Sequence, residues 1–312
     1  MTMRAVFMGT PAIAVPALDA LWEIAEVCAV VCQPDRPAGR GMKLRPPPVK
    51  ARALEHGLTV VQPTKLRDGH FAAWLRDQAV DVALVIAYGR ILALDVLQAP
   101  ARGCINLHAS LLPRYRGAAP INWAIAAGDS TTGISLMQMD EGCDTGPVFA
   151  QQMLDIGPNE TAGELSERLG QLAADVVREK LPAAVCGQTL ATAQDEERAS
   201  HARKMSKQDG HVDWTRPAKA VHDHIRAMTP WPGALAELGG QRFKLLSTEN
   251  TLDPIDHDAA PGTVVAIDKG RAQIACGEGC VALLRGQVAG KKALDVQALA
   301  AGRSLAVGMV LR

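Results

Sequence analysis

Between Arg4 and Ala184, short β-branched runs alternate with segments of helical spacing, a rhythm that leaves little room for anything but βαβ units around a mostly parallel sheet. The runs predict strands over Arg4–Met8, Val27–Val31, Val60–Gln62, Val82–Ala87, Cys104–Leu107 and Gly133–Met139. Between them, Val15–Ile24, Val49–His56, Gly69–Gln78, Leu92–Leu97 and Ala119–Ala127 predict helices, and Thr161–Ala184 predicts a longer amphipathic one. The expected fold class is α/β with a doubly wound, mostly parallel sheet. Such sheets hold ligands beyond the carboxyl ends of their strands, so the segments after Met8, Ala87, Leu107 and Met139 are the places to look for chemistry. Gly9-Thr10-Pro11 lacks the spacing of a dinucleotide-binding turn, and no nicotinamide cofactor is expected.

Beyond Leu190 the apolar rhythm gives way to a polar run from Gln194 to Lys204, which reads as a linker. Pro217–Met228 predicts a helix. Ala234–Leu238, Gln241–Leu246, Gly262–Ile267, Arg271–Cys276 and Cys280–Leu284, separated by glycine turns, predict a small OB-like β-barrel. The 312 residues therefore divide into an N-terminal α/β domain over 1–189, a linker over 190–207 and a C-terminal domain over 208–312. The 33 basic and 33 acidic residues balance overall, but the basic ones are in excess after residue 200, which hints at an anionic partner for that part. No stretch is apolar enough for a membrane span or a secretory signal, so a cytoplasmic protein without membrane association is expected. Seven cysteines without a Cys-x-x-Cys pair point to buried thiols, with no metal site.

The chemistry is concentrated in Gly103-Cys-Ile-Asn-Leu-His-Ala-Ser-Leu-Leu-Pro-Arg-Tyr-Arg-Gly. Side chains alternate along a strand, so Asn106 and His108 lie on one face, about 6.7 Å apart. An amide and an imidazole so placed suit a carbonyl oxygen that gains charge during attack. Asp144, bracketed by Gly142 and Gly146 after the next strand, is expected to approach His108 because adjacent strands of such a sheet end at the same edge, and there to orient the ring and assist proton removal. Taken alone, His108 reads more readily as a hydrogen-bonded core residue and Asp144 as a turn cap; together with Asn106 they outline a site for acyl transfer to a nucleophile.

Asn106-x-His108-x-Ser110-Leu-Leu-Pro-x-Tyr-Arg-Gly followed by Asp144-Thr-Gly resembles the signature of the 10-formyltetrahydrofolate-dependent formyltransferases. The resemblance implies that Asn106, His108 and Asp144 are catalytic and that 10-formyltetrahydrofolate is the co-substrate, with no metal. It implies folate contacts at Ile86, Ala87, Tyr88, Gly89, Ile91 and Leu92, at Ser110, Leu111, Leu112 and Pro113, and at Asp140, Glu141, Gly142 and Cys143, chiefly through backbone groups. Cys143 stands where the family usually carries an aliphatic residue.

The stretch Gln33–Lys50 and the C-terminal barrel resemble the branch of that family whose acceptor is initiator methionyl-tRNA. Arg36, Arg40, Lys43, Arg45, Lys50 and Arg52 face one acid, Asp35, in a proline- and glycine-rich segment that reads as a mobile cationic arm or a merely solvated loop. The resemblance favours the arm, and implies tRNA contacts at Arg36, Arg40, Lys43 and Arg45, and further along at Lys204, Lys207, Lys291 and Lys292. The expected protein is a monomer. Two rivals remain open from sequence: a formyltransferase acting on a nucleotide-linked aminosugar, and an RNA-binding module on a catalytically idle scaffold.

Overall fold

The computed structural model describes residues 2–38, 43–250 and 258–312. The chain forms two compact units: unit 1 comprises Met1–Pro120, Thr132–Asp155 and Ser166–Ala202, and unit 2 comprises Ile121–Thr131, Ile156–Leu165 and Arg203–Arg312.

The strands of unit 1 are β1 (Arg4–Gly9), β2 (Glu26–Val31), β3 (Arg36–Ala38), β4 (Lys43–Arg45), β5 (Val60–Val61), β6 (Val82–Ile86), β7 (Cys104–His108), β8 (Arg116–Gly117), β9 (Thr131–Gln138), β10 (Val148–Asp155) and β11 (His201–Ala202). Seven of them build a sheet in the order β10-β9-β7-β6-β1-β2-β5. The pairs β1/β2, β1/β6, β2/β5 and β6/β7 are parallel, and β7/β9 is antiparallel. Buried on both faces, β6 reads as an unbroken apolar run rather than an alternating one, whereas β7, equally buried, carries the polar Asn106 and His108.

The helices α1 (Val15–Ile24), α2 (Pro48–Glu55), α3 (His70–Asp77), α4 (Leu94–Leu97), α5 (Pro120–Ala126) and α6 (Ala162–Val185) follow the predicted pattern closely. Val6, Met8, Ala29, Val31, Ala83 and Val85 share one core cluster with Phe71, Ala72 and Leu75 of α3. The alternate residues Ala5, Phe7, Val30 and Leu84 are equally buried, on the side where α1 packs against β1 and β2. Helices therefore cover both faces, as a doubly wound sheet requires. The start of α6 is set by reciprocal bonds: the Thr161 N–H donates to Glu164 at 2.9 Å and the Glu164 N–H to the Thr161 hydroxyl at 3.3 Å.

Unit 2 contains, besides most of α5, α7 (Ala218–Ala227), β12 (Ala234–Leu238), β13 (Gln241–Asn250), β14 (Val264–Asp268), β15 (Arg271–Ala275), β16 (Cys280–Val288), β17 (Leu294–Asp295) and α8 (Val296–Ala301). The strands pair antiparallel in the order β12-β13-β16-β15-β14, with β17 added to β16. An open sheet of this kind leaves two unpaired edges. Here the final residues cover both: Glu237 and Arg312 exchange N–H···O bonds of 2.7 and 2.9 Å, and Leu311 N–H donates to Gly262 O at 2.8 Å. That seam between β12 and the entry to β14 closes the sheet into the expected barrel. Helix α8 and strand β17 were not anticipated, because Leu294–Ala301 is too short for a periodic signal.

Candidate active site

Running outward from the middle of the main sheet, the strand order reverses between β1 and β6, the position beyond whose carboxyl ends doubly wound sheets hold ligands. Hydrogen bonds tie the surrounding loops together. Thr10 Oγ1 donates to the Tyr88 carbonyl at 3.1 Å, and Gln33 Nε2 donates to the carbonyls of Tyr88 and Gly89, both at 3.0 Å.

The loop after β6 leaves the sheet beside Asn106, which pairs in register with Val85. Ala87, Gly89 and Ile91 are exposed, whereas Ile86, Tyr88 and Leu92 are buried, so this loop presents backbone and Ile91 while Tyr88 and Leu92 anchor it in the core. Ala87 and Gly89 both take positive φ, at 47° and 78°, which turns the loop sharply.

Asn106 and His108 point to one face of β7 and are 8% and 6% exposed. Among the described residues no side-chain hydrogen bond is made by the Asn106 amide. His108 Nε2 lies 2.9 Å from the Tyr115 carbonyl; a carbonyl only accepts, so Nε2 carries hydrogen. Nδ1 then faces Asp144 Oδ2 at 3.6 Å, near but beyond hydrogen-bond length. The free position of the ring is thus Nδ1, a detail that strand alternation alone does not supply.

The route by which Asp144 arrives differs from the sequence expectation. Strand β9 runs antiparallel to β7, so its carboxyl end pairs beside Ile105 and not beside His108. The carboxylate reaches His108 because its loop turns toward β8, where the Gly117 N–H donates to Asp144 Oδ2 at 2.8 Å. Asp144 itself has φ of 56°, a left-handed conformation that aspartate tolerates better than most residues. In the same loop Asp140 accepts from Gly142 N–H at 3.1 Å and from Thr145 Oγ1 at 2.8 Å, which spends its carboxylate on loop shape. Asp140, Glu141, Gly142 and Cys143 are all exposed. Partial burial, then the Asp144 carboxylate, push the Cys143 thiol above its ordinary pKa, so it sits there as a neutral group.

Ser110 is fully buried and donates to the Arg114 carbonyl at 2.7 Å; its own carbonyl accepts from Ser135 Oγ at 2.7 Å. Gln151 of β10 donates to Leu112 O at 2.8 Å and to Ser135 Oγ at 2.9 Å. The Ser110–Pro113 turn is therefore fixed from beneath, with Leu111 and Pro113 half-buried above Leu112.

Sequence reasoning missed the residues behind the site. Arg116, 2% exposed, donates through Nη1 and Nη2 to both oxygens of Glu196 at 2.8 and 2.7 Å and through Nε to Gln194 at 3.0 Å. The segment read as a linker supplies these partners, and its strand β11 pairs with β8. The available signal was an arginine inside the quoted motif, between Tyr115 and Gly117, since a cation held close to a site requires acidic or amide partners.

The predicted arm is in part regular: β3 and β4 form a hairpin with Arg36 opposite Arg45. Like charges directly opposed on a hairpin disfavour it unless an anion lies across them. Arg40 lies outside the described residues, and Lys43 is on β4. Lys50 and Arg52 are committed elsewhere, Lys50 to Asp35 at 2.8 Å and Arg52 to Asp19 at 2.8 Å. In unit 2, Lys204, Lys207, Lys291 and Lys292 are exposed, and Lys291 borders a groove of about 610 Å³ with Arg242 and Arg303. Among the described residues no group of three or more His, Cys, Asp or Glu side chains is placed to hold a metal, and no helix is long and apolar enough to cross a membrane.

Residues 3–181 match the formyl transferase family and residues 204–304 match the formyl transferase C-terminal domain. The chain belongs to the formyl transferase family. A methionyl-tRNA formyltransferase from Sorangium cellulosum is 57% identical over 309 residues, covering 99% of both chains. One from Myxococcus xanthus is 48% identical, covering 98% of this chain and 96% of the relative. Within the family, then, the chain falls among the methionyl-tRNA formyltransferases. Solved structures share the fold at low identity: a methionyl-tRNA formyltransferase from Clostridium thermocellum (TM-score 0.55, 16% identity, covering 80% and 94%) and an N-formyltransferase from Helicobacter canadensis in complex with folinic acid and dTDP-3-aminofucose (TM-score 0.67, 16% identity, covering 91% and 99%).

Proposed function

We propose that this chain transfers the formyl group of 10-formyltetrahydrofolate to the α-amine of methionine on initiator methionyl-tRNA, and that Asn106, His108 and Asp144 carry the transfer. The reading rests on relatives at up to 57% identity over 99% of both chains, and on an amide that bonds to no other side chain among the described residues, beside a histidine and an aspartate. Such an amide keeps its N–H groups available to a carbonyl oxygen brought beside it. The bound donor supplies an electrophilic formyl carbon and a nitrogen leaving group.

As the amine forms its bond to that carbon, the carbonyl π electrons move to oxygen, and the Asn106 amide donates to the resulting oxyanion. His108, held by the Tyr115 carbonyl through Nε2–H, offers Nδ1 to take the proton released by the amine. Asp144, anchored by Gly117 N–H, then faces the imidazolium and holds its ring in place. When the carbon–nitrogen bond to the donor breaks, the departing nitrogen takes back a proton and the carbonyl re-forms. No covalent enzyme intermediate is required. Incubating the protein with labelled formyl donor and either methionyl-tRNA or a UDP-aminosugar tests the assignment: label is expected on methionyl-tRNA, and label on the sugar instead overturns it.

The β3–β4 hairpin and the exposed lysines of unit 2 act in this reading as sequence-independent phosphate contacts. Changing Arg36 and Arg45 together to glutamate is expected to raise KM for methionyl-tRNA roughly tenfold and flatten its salt dependence, with KM for the folate donor changed by less than about twofold. Steady-state kinetics at two ionic strengths checks both; equal damage to the two KM values contradicts a tRNA-binding hairpin.

A further inference from the structure

Strand β8 touches two of the three proposed catalytic groups through its backbone. The Tyr115 carbonyl just before it receives His108 Nε2–H, and the Gly117 N–H donates to Asp144 Oδ2. What holds β8 and the Asp144 loop is the polar stretch that follows α6. Arg116 N–H donates to Ser200 O at 2.8 Å, Ala118 N–H to Ala202 O at 2.9 Å, and Tyr115 N–H to Ser200 Oγ at 2.9 Å. The same stretch is pinned at its start by paired backbone bonds of 2.8 and 2.9 Å between Val148 and Thr192.

At the centre of this contact lies Gln194. Its Nε2 donates to the carbonyls of Asp144 and Gly146 at 2.8 and 2.7 Å, and its Oε1 accepts from Arg116 Nε at 3.0 Å. Both amide hydrogens and the amide oxygen are thus used, and the amide plane is fixed by a guanidinium that Glu196 holds in turn. The two accepting carbonyls flank Thr145, so Gln194 sets the peptide planes on the C-terminal side of Asp144. With Asp144 already in the left-handed region, those planes decide where its side chain points.

We propose that Gln194, backed by the Arg116–Glu196 pair, is a positioning residue for Asp144, and that the stretch from Thr192 to Ala202 is part of the catalytic apparatus rather than a spacer between domains. The proposal rests on Asp144 being the carboxylate that serves His108. Gln194 has no contact with His108 or Asn106 among its hydrogen bonds, so its effect on turnover passes through the Asp144 loop.

The test is a set of Gln194 variants measured in two backgrounds with methionyl-tRNA and formyl donor. In the otherwise native chain, Gln194→Ala is expected to lower kcat roughly 10- to 100-fold with both KM values within about twofold, since misplacement by about an ångström costs that much. Gln194→Met, which keeps the volume but not the donors, is expected to lose as much as the alanine variant; recovery by methionine would mean a packing role and overturn the proposal. In an Asp144→Ala background, Gln194→Ala is expected to change kcat by less than about twofold, because the group it positions is gone. A loss that persists undiminished in that background overturns the proposal even where the single variants are less stable. An Asp144→Ala single variant with native turnover refutes the role of Asp144 itself, whereas an inactive Asp144→Ala beside a fully active Gln194→Ala refutes only the positioning role.

Discussion

Asn106→Ala is expected to lower kcat by about two to three orders of magnitude, the loss that follows removal of one preorganised donor to an oxyanion. The unusual part of the expectation is its counterpart in stability. The amide is 8% exposed and, among the described residues, bonds to no other side chain or loop, so its removal strands no buried partner. The thermal midpoint of the alanine variant should therefore stay within a few degrees of the native one. His108→Ala should lose a similar factor in turnover but also free the Tyr115 carbonyl from its 2.9 Å bond. Single-turnover rates together with thermal unfolding check both variants. Turnover within about tenfold of native for Asn106→Ala would remove it from the mechanism.

Gly146→Ala is expected to damage fold and activity together. A methyl group at this position would fall inside the van der Waals radius of the Gln138 carbonyl oxygen, and 3.1 Å from the Gln138 carbonyl carbon. Backbone lies on both sides of the clash, because Pro147 O accepts from Gln138 N–H at 2.9 Å directly alongside. Overpacking of this kind typically costs about 1–3 kcal/mol. The displaced loop carries Asp144 two residues away, and its Gly146 carbonyl is one of the two that Gln194 holds. A shift of about 1 Å there should reduce kcat by roughly 10- to 100-fold, with folate KM affected less. Measuring kcat and the unfolding midpoint on the same preparation checks this; a variant native in both respects would mean that the loop has room where the structure shows none.

Much of this architecture is legible in the residues, for physical reasons that also mark where legibility stops. Strands buried on both faces, such as Val82–Ile86, have only apolar choices and announce themselves. The reciprocal bonds of Thr161 and Glu164 need two residues at fixed spacing, and the start of α6 was readable from Thr161. Strand β10 was not, since its residues are half-buried or exposed and Gln151 and Gln152 break the apolar run. The antiparallel sense of β9 against β7 leaves no mark on periodicity at all, which is why the approach of Asp144 was expected by the wrong route. Asn106 and His108 could be paired because strand geometry fixes their relation locally. Gln194 could not, because its three partners come from residues far away in the chain and carry no periodic signal. Polar segments that fold through such long-range hydrogen bonds look like linkers from sequence.

The seam in unit 2 also governs the order in which that unit assembles. The turns joining β12 to β13 and β14 to β15 bring near neighbours together and can form early. The bonds linking Glu237 to Arg312 and Gly262 to Leu311 instead join distant parts of the chain, and such closures carry the larger loss of chain entropy. Until they form, two strand edges stand open to pairing with another molecule, so the bridged segment Val310–Arg312 serves as the lock that protects the barrel from association.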